Sequence, residues 1–188
     1  MKIVGLIVLT LLSLAVSPVR GQYGNRTPPP PYGGDDDVIS AKRLWNALAN
    51  EHLVGSKAIH STPYLGVHPH GAVLETLDAE VNVSGHKGMV IIKRNYGGSG
   101  ASKGNVATKP EQYLQAITVM FKRERGYDPD NKDWFWVKYT PSGEIIKDAQ
   151  GRALAGRVAK DSKTEGCIAC HHSAPGADYV FNHDRYTR

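Results

Sequence analysis

Apolar residues dominate Ile3–Val16, interrupted only by Gly5, Thr10 and Ser13, behind a single leading lysine. A run this short and this early predicts a secretory signal peptide over residues 1–21, cleaved before Gln22. An uncleaved membrane anchor is the alternative. No cysteine follows the run, which argues against a lipoprotein. The pattern then breaks. Residues 22–37, QYGNRTPPPPYGGDDD, hold four consecutive prolines, glycines and three aspartates. Such a stretch offers nothing to a core and predicts an extended, solvated leader. Helical periodicity begins after Ser40, where AKRLWNALANEH places Leu44, Trp45 and Leu48 on one face.

Beyond that helix the period changes from helical to alternating. Residues 72–81 and 88–96 are rich in β-branched residues, the second run flanked by glycine. GGSGASKG at 97–104 reads as a flexible loop. Thr108-Lys-Pro-Glu111 has the capping-box pattern and predicts a short helical turn. Residues 116–122 and 133–140 read as two further strands joined by the turn GYDPDN. A last helix is expected to begin near Ser162, where Ser162-x-x-Glu165 again matches a capping box. The sum is four or five antiparallel strands with helix at both ends, in one domain over residues 38–188.

Charge changes this picture little. The chain has 23 basic and 18 acidic side chains, and its formal charge of +5 includes Lys2 and Arg20 of the predicted signal. The basic residues are scattered, with one short cluster at Lys122-Arg123-Glu124-Arg125. No nucleic-acid partner is implied. With the signal removed, no membrane span is expected.

Cysteine changes it most. The chain has two, Cys167 and Cys170, and CIACHH sets two histidines directly behind them. On a helix Cys167, Cys170 and His171 share a face. Four readings compete. Two thiols on one helical face can add to the two vinyl groups of a haem, with His171 binding the iron; Cys-x-x-Cys-His is the c-type haem signature. A thioredoxin-like redox pair normally sits near a βαβ unit, and none is predicted. Zinc wants four ligands, with His60, His68 and His70 as the remaining candidates. A structural disulfide would close a very tight loop and stabilise little. The export signal and the histidine favour one covalently held haem c. The fold class is therefore α+β: a mostly antiparallel β-sheet with an N-terminal helix and a C-terminal haem-bearing helix.

No methionine follows His171, and Met89 and Met120 lie upstream in strand-like runs. The distal iron position is thus expected to be open, which suits binding and transforming small molecules. His172 lies about 100° round the helix from His171 and reads as a surface residue. Trp134, Phe135, Trp136, Phe121 and Tyr139 read as core or haem-packing aromatics. By strand parity Trp134 and Trp136 share one face and Phe135 takes the other.

These pieces resemble the cytochrome P-460 and cytochrome c′-beta family over about residues 40–185. They come in the family's order: a first helix with Trp45, the strand GMVIIK ending at Lys93, TVMFK, GYDPDNKDWFWVKY, CIACH, and DYVF at 178–181. The resemblance implies exported single-domain proteins, often dimeric, in which a sheet carries one c-type haem. P-460 members bond a lysine to the porphyrin and oxidise hydroxylamine. Members of the c′-beta type bind nitric oxide or carbon monoxide in an apolar pocket. Lys93 matches the cross-linking lysine by its context, and Arg94 should point to the opposite face. Hydroxylamine oxidation also needs a proton acceptor, for which Glu165, Glu75 and His70 are the candidates. A redox partner protein is implied as well. The alternatives are a nitric-oxide-binding module and an electron-transfer cytochrome with Met89 or His70 as sixth ligand.

Overall fold

The computed structural model describes residues 30–160, 162, 165–175 and 178–181. The predicted signal peptide, its cleavage site, residues 22–29 of the leader and the C-terminal tail from 182 lie outside them. Among the described residues no helix is long and apolar enough to cross a membrane.

Six antiparallel strands follow one another across one sheet in chain order. They are β1 (Tyr64–Leu65), β2 (Val73–Val83), β3 (His86–Tyr96), β4 (Leu114–Lys122), β5 (Trp134–Tyr139) and β6 (Ala155–Gly156). β2 and β3 form the longest hairpin. Its turn residues Ser84 and Gly85 both have positive φ, 53° and 90°. Backbone twist in a two-residue hairpin favours that geometry, and Asn82 Oδ1 secures it by accepting from Gly85 N–H at 2.9 Å. The four long strands match the sequence reading. The two-residue strands β1 and β6 carry too little pattern to be seen in it.

Both faces of the sheet are covered. On one face Val90, Ile92, Ile117, Val119, Phe121 and Val137 pack against α1 (Asp35–Asn50) through Ala41, Leu44 and Leu48. On the other, Ile91, Met120, Trp134 and Trp136 pack against Ile168 and Tyr179 of the C-terminal segment. Phe135, Phe121 and Tyr139 therefore belong to the α1 side, and Trp134 and Trp136 to the other.

α1 begins five residues before the expected cap at Ser40, because Asp35, Asp36 and Asp37 occupy its first turn and complement the helix dipole. The end of the expected leader is thus folded. Tyr32 is buried and Gly33 N–H donates to Ala155 O at 2.9 Å. Gly33 has φ +72°, and a Cβ there would stand 2.3 Å from Ala153 O. Between β3 and β4 lie α2 (Lys103–Thr108) and α3 (Pro110–Tyr113). Part of the predicted loop is therefore helical, capped by Ser102, whose Oγ accepts from Asn105 N–H. Thr108 ends α2 instead of capping α3; its hydroxyl donates to Gly104 O.

The final helix, α4 (Cys167–His171), starts later than the expectation near Ser162. Ser162 Oγ does accept from Glu165 N–H at 2.9 Å, but the chain turns again before the helix opens at Gly166. Gly166 has φ +99°, and a Cβ on it would lie 2.2 Å from that of Ala159. Glycine thus lets the helix start this close to the segment behind β6.

Candidate cofactor site

α4 is short, yet it brings both thiols and an imidazole to one place. Cys167 and Cys170 are free thiols, half-buried and exposed respectively. Burial pushes the Cys167 thiol up to about 11, against the opposing charge of Lys138. A thiol held protonated at neutral pH is a poor exchange nucleophile, which weighs against the thioredoxin-like reading.

His171 is 7 % exposed. Its Nδ1 lies 2.7 Å from the carbonyl oxygen of Tyr179. The carbonyl only accepts, so Nδ1 carries the proton and Nε2 keeps its lone pair, the arrangement of a metal-ligating histidine. Tyr179 is itself fixed. Trp134 Nε1–H donates to Asp178 O at 3.0 Å, and the Tyr179 hydroxyl donates to Asn131 Oδ1 at 3.2 Å. The tail DYVF thus orients the histidine through a backbone carbonyl. Side-chain patterns gave no signal of that role. His172 is exposed and packs edge-on against the Tyr179 ring.

A cleft of about 720 Å³ lies between α4, the tail and the sheet. That volume is within the usual range of small-molecule and cofactor sites. Its sheet wall is built in rows by strand register. Ile91 pairs with Met120 and Met120 with Trp136, giving an apolar row. Beside it Lys93 pairs with Thr118 and Thr118 with Lys138, giving a polar one. The Trp136 and His171 rings are 4.9 Å apart, and Phe181 closes on His171 at 5.3 Å.

Lys93 lines this cleft and is only 8 % exposed, unusual for a lysine. Arg94, next in sequence, points to the opposite face. Its Nη1–H donates to Glu75 Oε2 at 3.0 Å and its Nη2–H to Leu53 O at 2.8 Å. Glu75 is therefore held away from the cleft. It also accepts from the Tyr96 hydroxyl at 2.8 Å and contacts His60 Nδ1 at 3.0 Å. This removes Glu75 as a proton acceptor over the site and takes His60 out of any shared zinc set. Among the described residues no group of three or more His, Cys, Asp or Glu is placed to hold a metal ion.

His70 does face the cleft. Asn95 Nδ2–H donates to Thr118 Oγ1, so Asn95 Oδ1 is turned toward His70 Nδ1, at 3.2 Å. Nδ1 then carries the proton and Nε2 is left basic. Burial, then the charges of Lys93 and His171, lower the His70 pKa to about 4. The ring is neutral at pH 7. Glu165 lines the mouth of the cleft and is exposed. Met89 is 44 % exposed and is not part of the cleft wall, so it drops out as a sixth ligand; Met120 is the methionine that lines it.

A haem fits this residue set. Two thiols and an imidazole fixed through Nδ1 share a helical face beside a largely apolar cleft. One further observation calls for an occupant. The Trp136 indole N–H is buried without an acceptor among the described residues, a state that costs about 1–3 kcal/mol unless something in the cleft accepts from it. No curated protein and no solved structure matches the chain. A family model described as Cytochrome P460 matches residues 53–182.

Proposed function

The chain belongs to the cytochrome P460 family, and on that premise we propose that it is an exported mono-haem c-type cytochrome oxidising hydroxylamine or a related small nitrogen compound. The observation that carries the reading is the pairing, in one cleft, of a buried Lys93 with His171, whose Nδ1 is held by the Tyr179 carbonyl. Cys167 and Cys170 would hold one haem c per chain through thioethers, and His171 would bind its iron. Lys93 would bond to the porphyrin. When bound, the haem supplies a Lewis-acidic iron and a path for electrons.

The chain's own residues do the rest. Ile91, Met120 and Trp136 keep the cleft wall dry. His70, neutral and lining the cleft, would take protons as the nitrogen substrate is oxidised. Glu165, at the mouth, passes them to solvent. The electrons leave to a redox partner protein outside the cytoplasm.

The test is hydroxylamine consumption by the exported, matured protein with an artificial electron acceptor, read beside its ferrous spectrum. Turnover together with a broad ferrous Soret band far to the red of an ordinary c-type haem is the expected result. No turnover and an ordinary high-spin spectrum would move the chain to the nitric-oxide-binding reading. A second reading has its own observation. The His70 and His171 rings stand 5.9 Å apart at 88°, a separation that supports reading His70 as the sixth ligand of an electron-transfer site. A low-spin ferric spectrum would select it.

A further inference from the structure

Two donors stand side by side along the cleft wall of β5. Trp136 and Lys138 are two positions apart, so their side chains leave the same face of the strand. The Trp136 indole N–H is buried and lacks an acceptor among the described residues. Lys138 is half-buried, lines the same cleft and makes no ion pair with a described carboxylate. Its backbone is fixed on both sides, donating to Leu154 O at 3.0 Å and accepting from Ile146 N–H at 2.9 Å. Among the described residues the one carboxylate on the cleft wall is Glu165, which is exposed at the mouth. Lys93 lies two strands away on the same row, about 10 Å by strand spacing. Among the described residues the cleft thus combines an N–H without an acceptor, a neighbouring ammonium outside any ion pair and a single exposed carboxylate, an arrangement suited to an anion.

We propose that Trp136 and Lys138 form an anion-binding pair for a carboxylate-like group. An oxygen accepts from the indole N–H while its charge is met by the Lys138 ammonium. Resting on the haem reading above, the ligand is either a carboxylate side chain of the tetrapyrrole or a small oxyanion of the nitrite class. If the Lys93 nitrogen is bonded to the porphyrin, Lys138 is the remaining ammonium on that row.

The experiment compares matured wild type with Lys138→Gln, Lys138→Arg and Trp136→Phe, and with Lys147→Gln as an exposed control on the adjoining loop. Two readouts are taken: the haem midpoint potential, and nitrite affinity by spectral titration. A tetrapyrrole carboxylate predicts a lower potential in Lys138→Gln, restored by Lys138→Arg, with nitrite affinity unchanged. The sign follows because losing a nearby cation favours the oxidised, more positive iron. A small oxyanion predicts a nitrite dissociation constant raised roughly tenfold in Lys138→Gln and in Trp136→Phe. Variants that match Lys147→Gln on both readouts overturn the pair. A chain that carries no haem after export contradicts the preceding reading instead, seen as a missing Soret band. The pair is then tested on the haem-free chain, where nitrite should perturb tryptophan fluorescence in wild type and not in Trp136→Phe; equal responses overturn it.

Discussion

On the proposed function, Lys93→Ala is expected to keep its haem but lose the red-shifted ferrous Soret band and most hydroxylamine turnover, by roughly a hundredfold. A lysine 8 % exposed has left most of its hydration behind, and a charged amine does so only where another interaction replaces water. Register places it on the same row as Thr118 and one step from the apolar row that ends at Trp136, beside His171. On the proposed reading haem retention would rest on Cys167 and Cys170, which come from a different segment, so the two properties should separate. Lys93→Arg should fail in the same way, because a guanidinium keeps the charge but is not an equivalent amine nucleophile. Mass spectrometry of haem peptides checks the result. A cross-link that persists in Lys93→Ala would show that another side chain forms it.

Glu75→Gln has its large effect on stability instead. Glu75 is 2 % exposed and meets Arg94, which is equally deep, on the sheet face away from the cleft. Removing the carboxylate charge leaves a buried guanidinium without its counter-ion, a change that costs about 3–5 kcal/mol. For a domain of this size that lowers the melting temperature by on the order of 10 °C. The haem spectrum should stay as in wild type, because neither side chain faces the cleft. Thermal unfolding followed by circular dichroism reads the first effect, and absorption the second. An altered spectrum at unchanged stability would mean that Glu75 acts on the site after all.

The sequence made some of this legible for identifiable reasons. β-Branched and aromatic runs at 72–81, 88–96, 116–122 and 133–140 exposed the four long strands; β3, β4 and β5 bury side chains on both faces, against α1 and against the C-terminal segment, so alternation in them is weak. Parity correctly separated Lys93 from Arg94 and Trp136 from Phe135, since a strand has a fixed period of two. What parity lacks is a sign. Only the packing of α1 shows which face is the cleft. Glu75 looked like a candidate acid for the same reason; its partners Arg94, Tyr96 and His60 are distant in sequence. The His171–Tyr179 bond was invisible because a backbone carbonyl has no residue signature. Capping patterns found α1, the short turn α3 and α4, but misplaced where each begins. Ser40 lies inside α1, Thr108 ends one helix instead of starting the next, and the Ser162 turn stops short of α4. At α1 a run of aspartates moves the start earlier, and at α4 the close approach of Gly166 to Ala159 delays it. Asn95 escaped notice because its role is to turn His70, which needs both residues on one wall.

The central claim is that the cleft holds one haem bonded to Cys167 and Cys170. Its most direct test is the intact mass of the exported, denatured protein, with its absorption spectrum in the same solvent. The account predicts a chain heavier by a single haem, coloured after unfolding and acid extraction, and colourless when both cysteines are replaced by alanine. A wild-type mass equal to the bare polypeptide, or haem extracted intact by acid, would contradict it.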